Sequence, residues 1–142
     1  MARMVSAWSE AFEIGITVID MQNKELFRLL RDLEQMVLTQ CAQYTYTDFV
    51  HLICEIREYA TYHFYEEEKI METLEYEALE EHKALHKQFE EHIGSINYTQ
   101  LEKNPLPIID ELRGFIELWI MRHILLEDMK LAPIAKAKGL VG

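Results

Sequence analysis

Long apolar runs are missing from this chain. No stretch approaches the roughly 20 apolar residues that a membrane-spanning helix needs. Glycine and proline are scarce, five and three in 142 residues, and most stand near the ends of apolar runs. That scarcity leaves room for long uninterrupted helices. Cysteine is scarcer still. Cys41 and Cys54 sit too far from any paired Cys or His spacing to suggest a zinc site. Both are expected as reduced thiols of a cytosolic protein. Basic residues are outnumbered, 14 Lys and Arg against 25 Asp and Glu, for a formal net charge of -11. So acidic a surface repels phosphate backbones and anionic head groups, which argues against nucleic-acid and membrane partners. The N-terminus lacks the apolar core of a secretory signal. Strand-like alternation is absent as well.

What is present has helical periodicity. The length suits one domain with a substantial core. Four segments place apolar residues every three to four positions. The first runs from about Val18 to Leu38 on a stripe of Ile19, Leu26, Leu30, Leu33 and Val37. The second, about Thr47 to Leu74, is marked by Phe49, Ile53, Ile56, Ala60, Phe64 and Met71. The third, about Glu77 to Ile96, carries Leu79, Leu85, Phe89 and Ile93, and the fourth, about Pro105 to Leu131, carries Ile109, Leu112, Ile116, Trp119, Ile120 and Ile124. Capping oxygens from Thr45 to Asp48 start the second helix. Asn97 to Asn104 with Pro105 and Pro107 separates the third from the fourth, and Pro133 and Gly139 close the last. Short connections predict an all-α, up-down-up-down four-helix bundle. Residues 1–16 form an N-terminal arm anchored by Trp8 and Phe12, 17–133 the bundle, and 134–142 a tail or linker stub.

Polar residues interrupt the stripes. His63 and Glu67 continue the buried series of the second segment, His82 and His86 that of the third, and His123 that of the fourth. Asn23 lies between Ile19 and Leu26 on the first. Spacings of three or four share one helical face, so all four helices aim a polar or ligating group inward. Each such group left unpaired in a core costs about 1–3 kcal/mol, and an ionised carboxylate costs more. A marginally stable domain does not absorb several of these penalties. One buried His is usually a hydrogen-bonded core residue. Four, with a Glu, on the inner stripes of three helices point to a transition metal, which imidazole and carboxylate suit. His51 and His92 fall off the stripes, and the acids flanking Glu67, including Glu66 and Glu68, read as solvated. Asp128 follows His123 by five residues, about 140° further round an α-helix, whereas Glu127 is better aligned. Spacing leaves that choice open.

With these residues in view the chain resembles the hemerythrins, in particular the bacterial hemerythrin-like proteins. Trp8, Gly15, Ile19-Asp20-Met21-Gln22, His63 with Glu67, His82 with His86, and His123 with Asp128 carry the resemblance, which spans Trp8 to about Pro133. It selects Asp128 over Glu127. It implies two non-haem irons bridged by Glu67, Asp128 and an oxo or hydroxo group, with His82, His86 and His123 on one iron and His63 on the other. The family's first-helix histidine position is occupied by Asn23, an amide too short and too weak to replace imidazole. Water or a small anion is therefore expected at that vacancy. A ferritin-like centre needs Glu three residues before a histidine on two helices, and no histidine here has one.

The resemblance implies dioxygen as ligand, bound at the iron opposite the three histidines, with Trp119 and Leu125 as candidate apolar walls. Binding rather than turnover is expected. A second open position favours fast autoxidation, hence an oxygen- or redox-sensing domain that signals through helix packing to a linked output domain. A free-standing oxygen carrier is the alternative. A peroxide- or nitric oxide-consuming enzyme is the third reading, and a metal-free bundle with a hydrogen-bonded polar core the fourth.

Overall fold

The computed structural model of the chain describes residues 8–139. The first seven residues of the expected arm and the last three of the tail lie outside them. Every regular element among the described residues is helical. Four long helices, α1 (Thr17–Leu38), α2 (Tyr46–Thr73), α3 (Leu79–Gly94) and α5 (Pro105–Arg122), build the bundle, and a six-residue helix α4 (Tyr98–Lys103) fills the link before α5. Past Arg122 the chain winds as a π turn (His123–Glu127) and a 3-10 turn (Asp128–Lys130), then as α6 (Leu131–Ala137). None of the described helices is long and apolar enough to cross a membrane.

Sequence-local chemistry sets most boundaries. Thr45 and Asp48 form a reciprocal capping box, with Asp48 N–H donating to Thr45 Oγ1 (3.2 Å) and Thr45 N–H to Asp48 Oδ2 (2.8 Å). At the other end of α2, Tyr76 N–H reaches back to the Met71 carbonyl (3.0 Å). This closing turn holds Glu75 at φ 55, a left-handed conformation usually left to glycine. Asn97 caps α4 by accepting from Gln100 N–H (3.0 Å), so the expected break after α3 holds an extra turn and a half of helix. Pro133 does not end the chain's helical course. It lies in the first turn of α6, where a missing N–H goes unnoticed. Residues assigned to the tail, Ile134 and Ala135, belong to that helix, and Ala135 is buried in the core.

The apolar stripes meet as expected. α1 packs against α2 and α5, and α2 against α3. α3 meets α5 through aromatic rings, Phe89 with Phe115 (5.7 Å) and with Trp119 (4.7 Å). The arm is fixed as its aromatics suggest: Phe12 lies 4.9 Å from Phe27 of α1, and Trp8 lies 5.8 Å from both. Its last turn is held by Asp20, whose two carboxylate oxygens accept from Ile14 N–H (2.9 Å) and Gly15 N–H (3.0 Å). Gly15 takes φ 91 there, which a side chain would oppose. Met36 and Met71 fill the core, and both cysteines are free thiols, Cys41 buried and Cys54 exposed.

Candidate metal centre

The polar residues that broke the stripes converge. Glu67, His82, His86 and His123 form one group and His63, Glu67 and Asp128 another, with the ligating atoms of each group all within 4.8 Å of one another. Two helices and the turns after α5 deliver them. His63 and Glu67 stand one turn apart on α2, His82 and His86 one turn apart on α3, and His123 opens the wide turn after α5. Asp128 closes it.

That turn settles which acid joins the cluster. Its hydrogen bond runs from Asp128 N–H to the His123 carbonyl, one residue wider than an α turn. A five-residue spacing therefore faces the same way here as a four-residue spacing does in an α-helix. Asp128 is completely buried, while Glu127 reaches out to Lys130 (3.2 Å). The same turn carries Leu125 and Leu126 outward. Leu125 is 42% exposed. Trp119 lies on the three-histidine side and not opposite it: its ring stacks on His123 at 4.3 Å and 14°, and Phe64 stacks on His86 at 4.0 Å and 7°. Beyond Trp119 a cavity of about 370 Å³ opens between α3 and α5, lined by Leu85, Phe115, Leu118 and Leu126, with His123 at its inner edge.

The donor set fits a metal pair better than it fits hydrogen bonding alone. His123 Nε2 lies 2.9 Å from His82 Nε2 and 3.0 Å from His86 Nε2, and Glu67 Oε1 lies 2.7, 3.1 and 3.3 Å from the Nε2 atoms of His82, His86 and His123. A neutral imidazole has one N–H, so nitrogens this close compete for too few protons. On the other side His63 Nε2, Glu67 Oε2 and both Asp128 oxygens are buried without a hydrogen-bond partner. Asp128 Oδ1 approaches His82 and His123 Nε2 only to 3.2 Å. Two fully buried carboxylates and four imidazoles aimed at common points call for cations. Glu67 presents Oε1 to the three histidines and Oε2 to His63 (3.5 Å), the posture of a bridging carboxylate.

Electrostatics agree. Burial holds His63 below the ordinary imidazole value, so its ring is neutral. Burial alone would raise Glu67, yet hydrogen bonds from His123, His82 and His86 keep it well below the usual carboxylate range. Burial likewise opposes protonation of His123, but the charge of Asp128 and the contact with Glu67 push it up to about 10. His82 is raised for the same reasons, against its own desolvation. Protons on these two rings stand where metal charge would.

A family comparison matches this geometry. The hemerythrin family, described as the Hemerythrin HHE cation binding domain, matches residues 14–135. The chain belongs to the hemerythrin family. Among its relatives are a bacteriohemerythrin of Clostridium acetobutylicum, 31% identical over 85% of this chain and 94% of its own length, and one of Stenotrophomonas maltophilia, 30% identical over 92% and 81%. The myohemerythrin of Theromyzon tessulatum is 28% identical over 87% and 88%. A hemerythrin carries two non-haem irons and binds dioxygen, and binding rather than turnover is the character of the family.

This hemerythrin also has supporting residues that the sequence did not disclose. His63 Nδ1–H donates to Gln22 Oε1 (2.7 Å), and His86 Nδ1–H donates to Glu68 Oε2 (2.7 Å). Each bond fixes the tautomer that leaves Nε2 for a metal. Glu68, expected to be solvated, is in fact turned inward onto His86. Gln22 had one signal, its place in the Asp20-Met21-Gln22 motif. Glu68 had none, because a half-buried acid beside Glu67 reads as surface. Asn23 is buried, and its Nδ2 has no hydrogen-bond partner. His51 is exposed, and His92 pairs with Glu111 (3.0 Å), clear of the cluster.

Proposed function

We propose that this hemerythrin domain is an oxygen or redox sensor of the cytosol, in which His82, His86, His123, Glu67 and Asp128 hold one iron, and His63 with the same two bridging acids holds the other. The observation that carries the reading is the imbalance of donors. One side has three imidazoles, and the other has His63 alone, with Asn23 where the family has a ligating histidine. When bound, the iron pair supplies reversible electron transfer to dioxygen. The protein residues decide how long each state lasts. Trp119 and Phe64 cover two of the three histidines from water. No second imidazole covers the His63 side, so water or a small anion completes it and oxidation is fast. A short-lived reduced state suits a switch and not a store.

Asp128 supplies a route outward. It joins the π turn to α6, and α6 is tied to the end of α2 by Lys138 Nζ donating to the Leu74 carbonyl (2.8 Å). A change of charge at the centre pulls on Asp128 and so biases how the C-terminal helix sits, which a linked output domain would read. The test is air oxidation of the dithionite-reduced, iron-loaded protein, followed by its absorption and by hydrogen exchange across residues 131–139. Rapid oxidation with altered exchange in α6, slowed in Asn23→His, is the expected result. A long-lived oxygenated form would instead make the chain an oxygen carrier. An Asn23→His variant that oxidises no slower would refute the imbalance argument.

A further inference from the structure

We propose that the two metal positions differ in selectivity: the three-histidine position strongly prefers Fe(II) or Zn(II) to Mn(II), and the His63 position discriminates much less, so that once the first is filled Mn(II) enters the second and a mixed-metal chain forms. The inference rests on the division of ligands given above. On one side the donors are three ring nitrogens with the two bridging carboxylates, Glu67 and Asp128. On the other they are one ring nitrogen and two carboxylates, His63 with Glu67 and Asp128. Imidazole favours the later first-row ions, and carboxylate and water favour manganese and magnesium. Fe(II) and Zn(II) exceed Mn(II) in affinity at almost any site, but nitrogen donors widen the gap and oxygen donors narrow it. With one ring nitrogen in place of three, the second position therefore discriminates less.

The supporting hydrogen bonds push the same way. His86 leans on the Glu68 carboxylate, which makes its ring a stronger donor, whereas His63 leans on the neutral amide of Gln22. Even the lone imidazole of the second position is thus the poorer nitrogen ligand. The amide of Asn23 adds no nitrogen donor. Its buried, unpartnered Nδ2 is a hydrogen-bond donor, suited to a water or anion and not to a cation.

The experiment uses metal-free protein given one equivalent of Zn(II), then titrated with Mn(II). The six-line resonance of aqueous Mn(II) counts what stays free, and elemental analysis after desalting counts what is held. One zinc and one manganese per chain is the expected result. In Asn23→His the preference for zinc over manganese at the second position should rise on the order of tenfold or more, at least the effect of losing an outer hydrogen-bond partner. Zinc-loaded protein that leaves all manganese free, takes it only by releasing zinc, or keeps its preference unchanged in Asn23→His overturns the proposal. Zinc uptake that survives His82→Ala combined with His123→Ala, or no uptake at all, would show instead that the ligand assignment itself is wrong.

Discussion

The two sides of the buried cluster are built from the same residue types and differ in almost every other respect. Around His82, His86 and His123, ring nitrogens crowd to about 3 Å, aromatic rings stack over two of them, and protons are held tightly. Around His63, one neutral ring faces carboxylate oxygens that have no partner. The first side is drawn in around Glu67 Oε1, its ring nitrogens sharing that one oxygen. The second is satisfied only by something brought in. A core can thus hold one preformed half-site and one that the ligand itself completes.

The largest expected effect comes from removing the acid that leans toward the weaker side. Asp128→Ala should abolish metal at the His63 position, lowering bound iron from about two per chain to about one or less, whereas Glu127→Ala should change nothing. Elemental analysis of both variants decides it. Equal losses would mean that the wide turn does not choose the ligand.

Proton release separates the two sides next. His123 is pushed up to about 10, so at pH 7.5 loading the three-histidine side should release about one proton, and loading the His63 side almost none, because burial holds that ring below its ordinary value. A pH-indicator dye during stepwise metal addition measures both. The same shift has a sign for stability. A histidine raised from 6.5 to about 10 stabilises the metal-free fold fully below pH 6.5, and this contribution is lost as the pH rises toward 10. Denaturant midpoints of the metal-free protein should fall over that interval. A midpoint that climbs instead would contradict the protonated cluster.

The smallest effects concern the supporting bonds. Glu68→Gln should weaken metal binding on the three-histidine side by about 10-fold or more, and Gln22→Leu should do so on the His63 side. Competition with a chelator resolves the two steps. If each variant weakened both sides equally, the two positions would not be independent.

How much of this was legible follows from what breaks a pattern. His63, Glu67, His82, His86 and His123 were visible because each interrupts an apolar stripe, and the four long helices because those stripes persist for many turns. The change of winding after Arg122 was hidden, since Ile116, Ile120 and Ile124 continue the α period straight into it, with no Gly or Pro as warning. Asp128 could be chosen only by resemblance for that reason. Gln22 and Glu68 sit at stripe edges, where a polar residue ordinarily faces water. Their partners lie 41 and 18 residues away, beyond the reach of local spacing.

A π turn is what an α-helix becomes when it absorbs one surplus residue. Deleting one residue among Ile124, Leu125 and Leu126 would let the segment wind normally, with the histidine and the aspartate four apart and still on one face. Helix interiors usually reject gaps, because everything downstream swings by about 100°. Here the downstream helix would keep its phase, so chain length becomes negotiable at this one place while the identity of the acid does not.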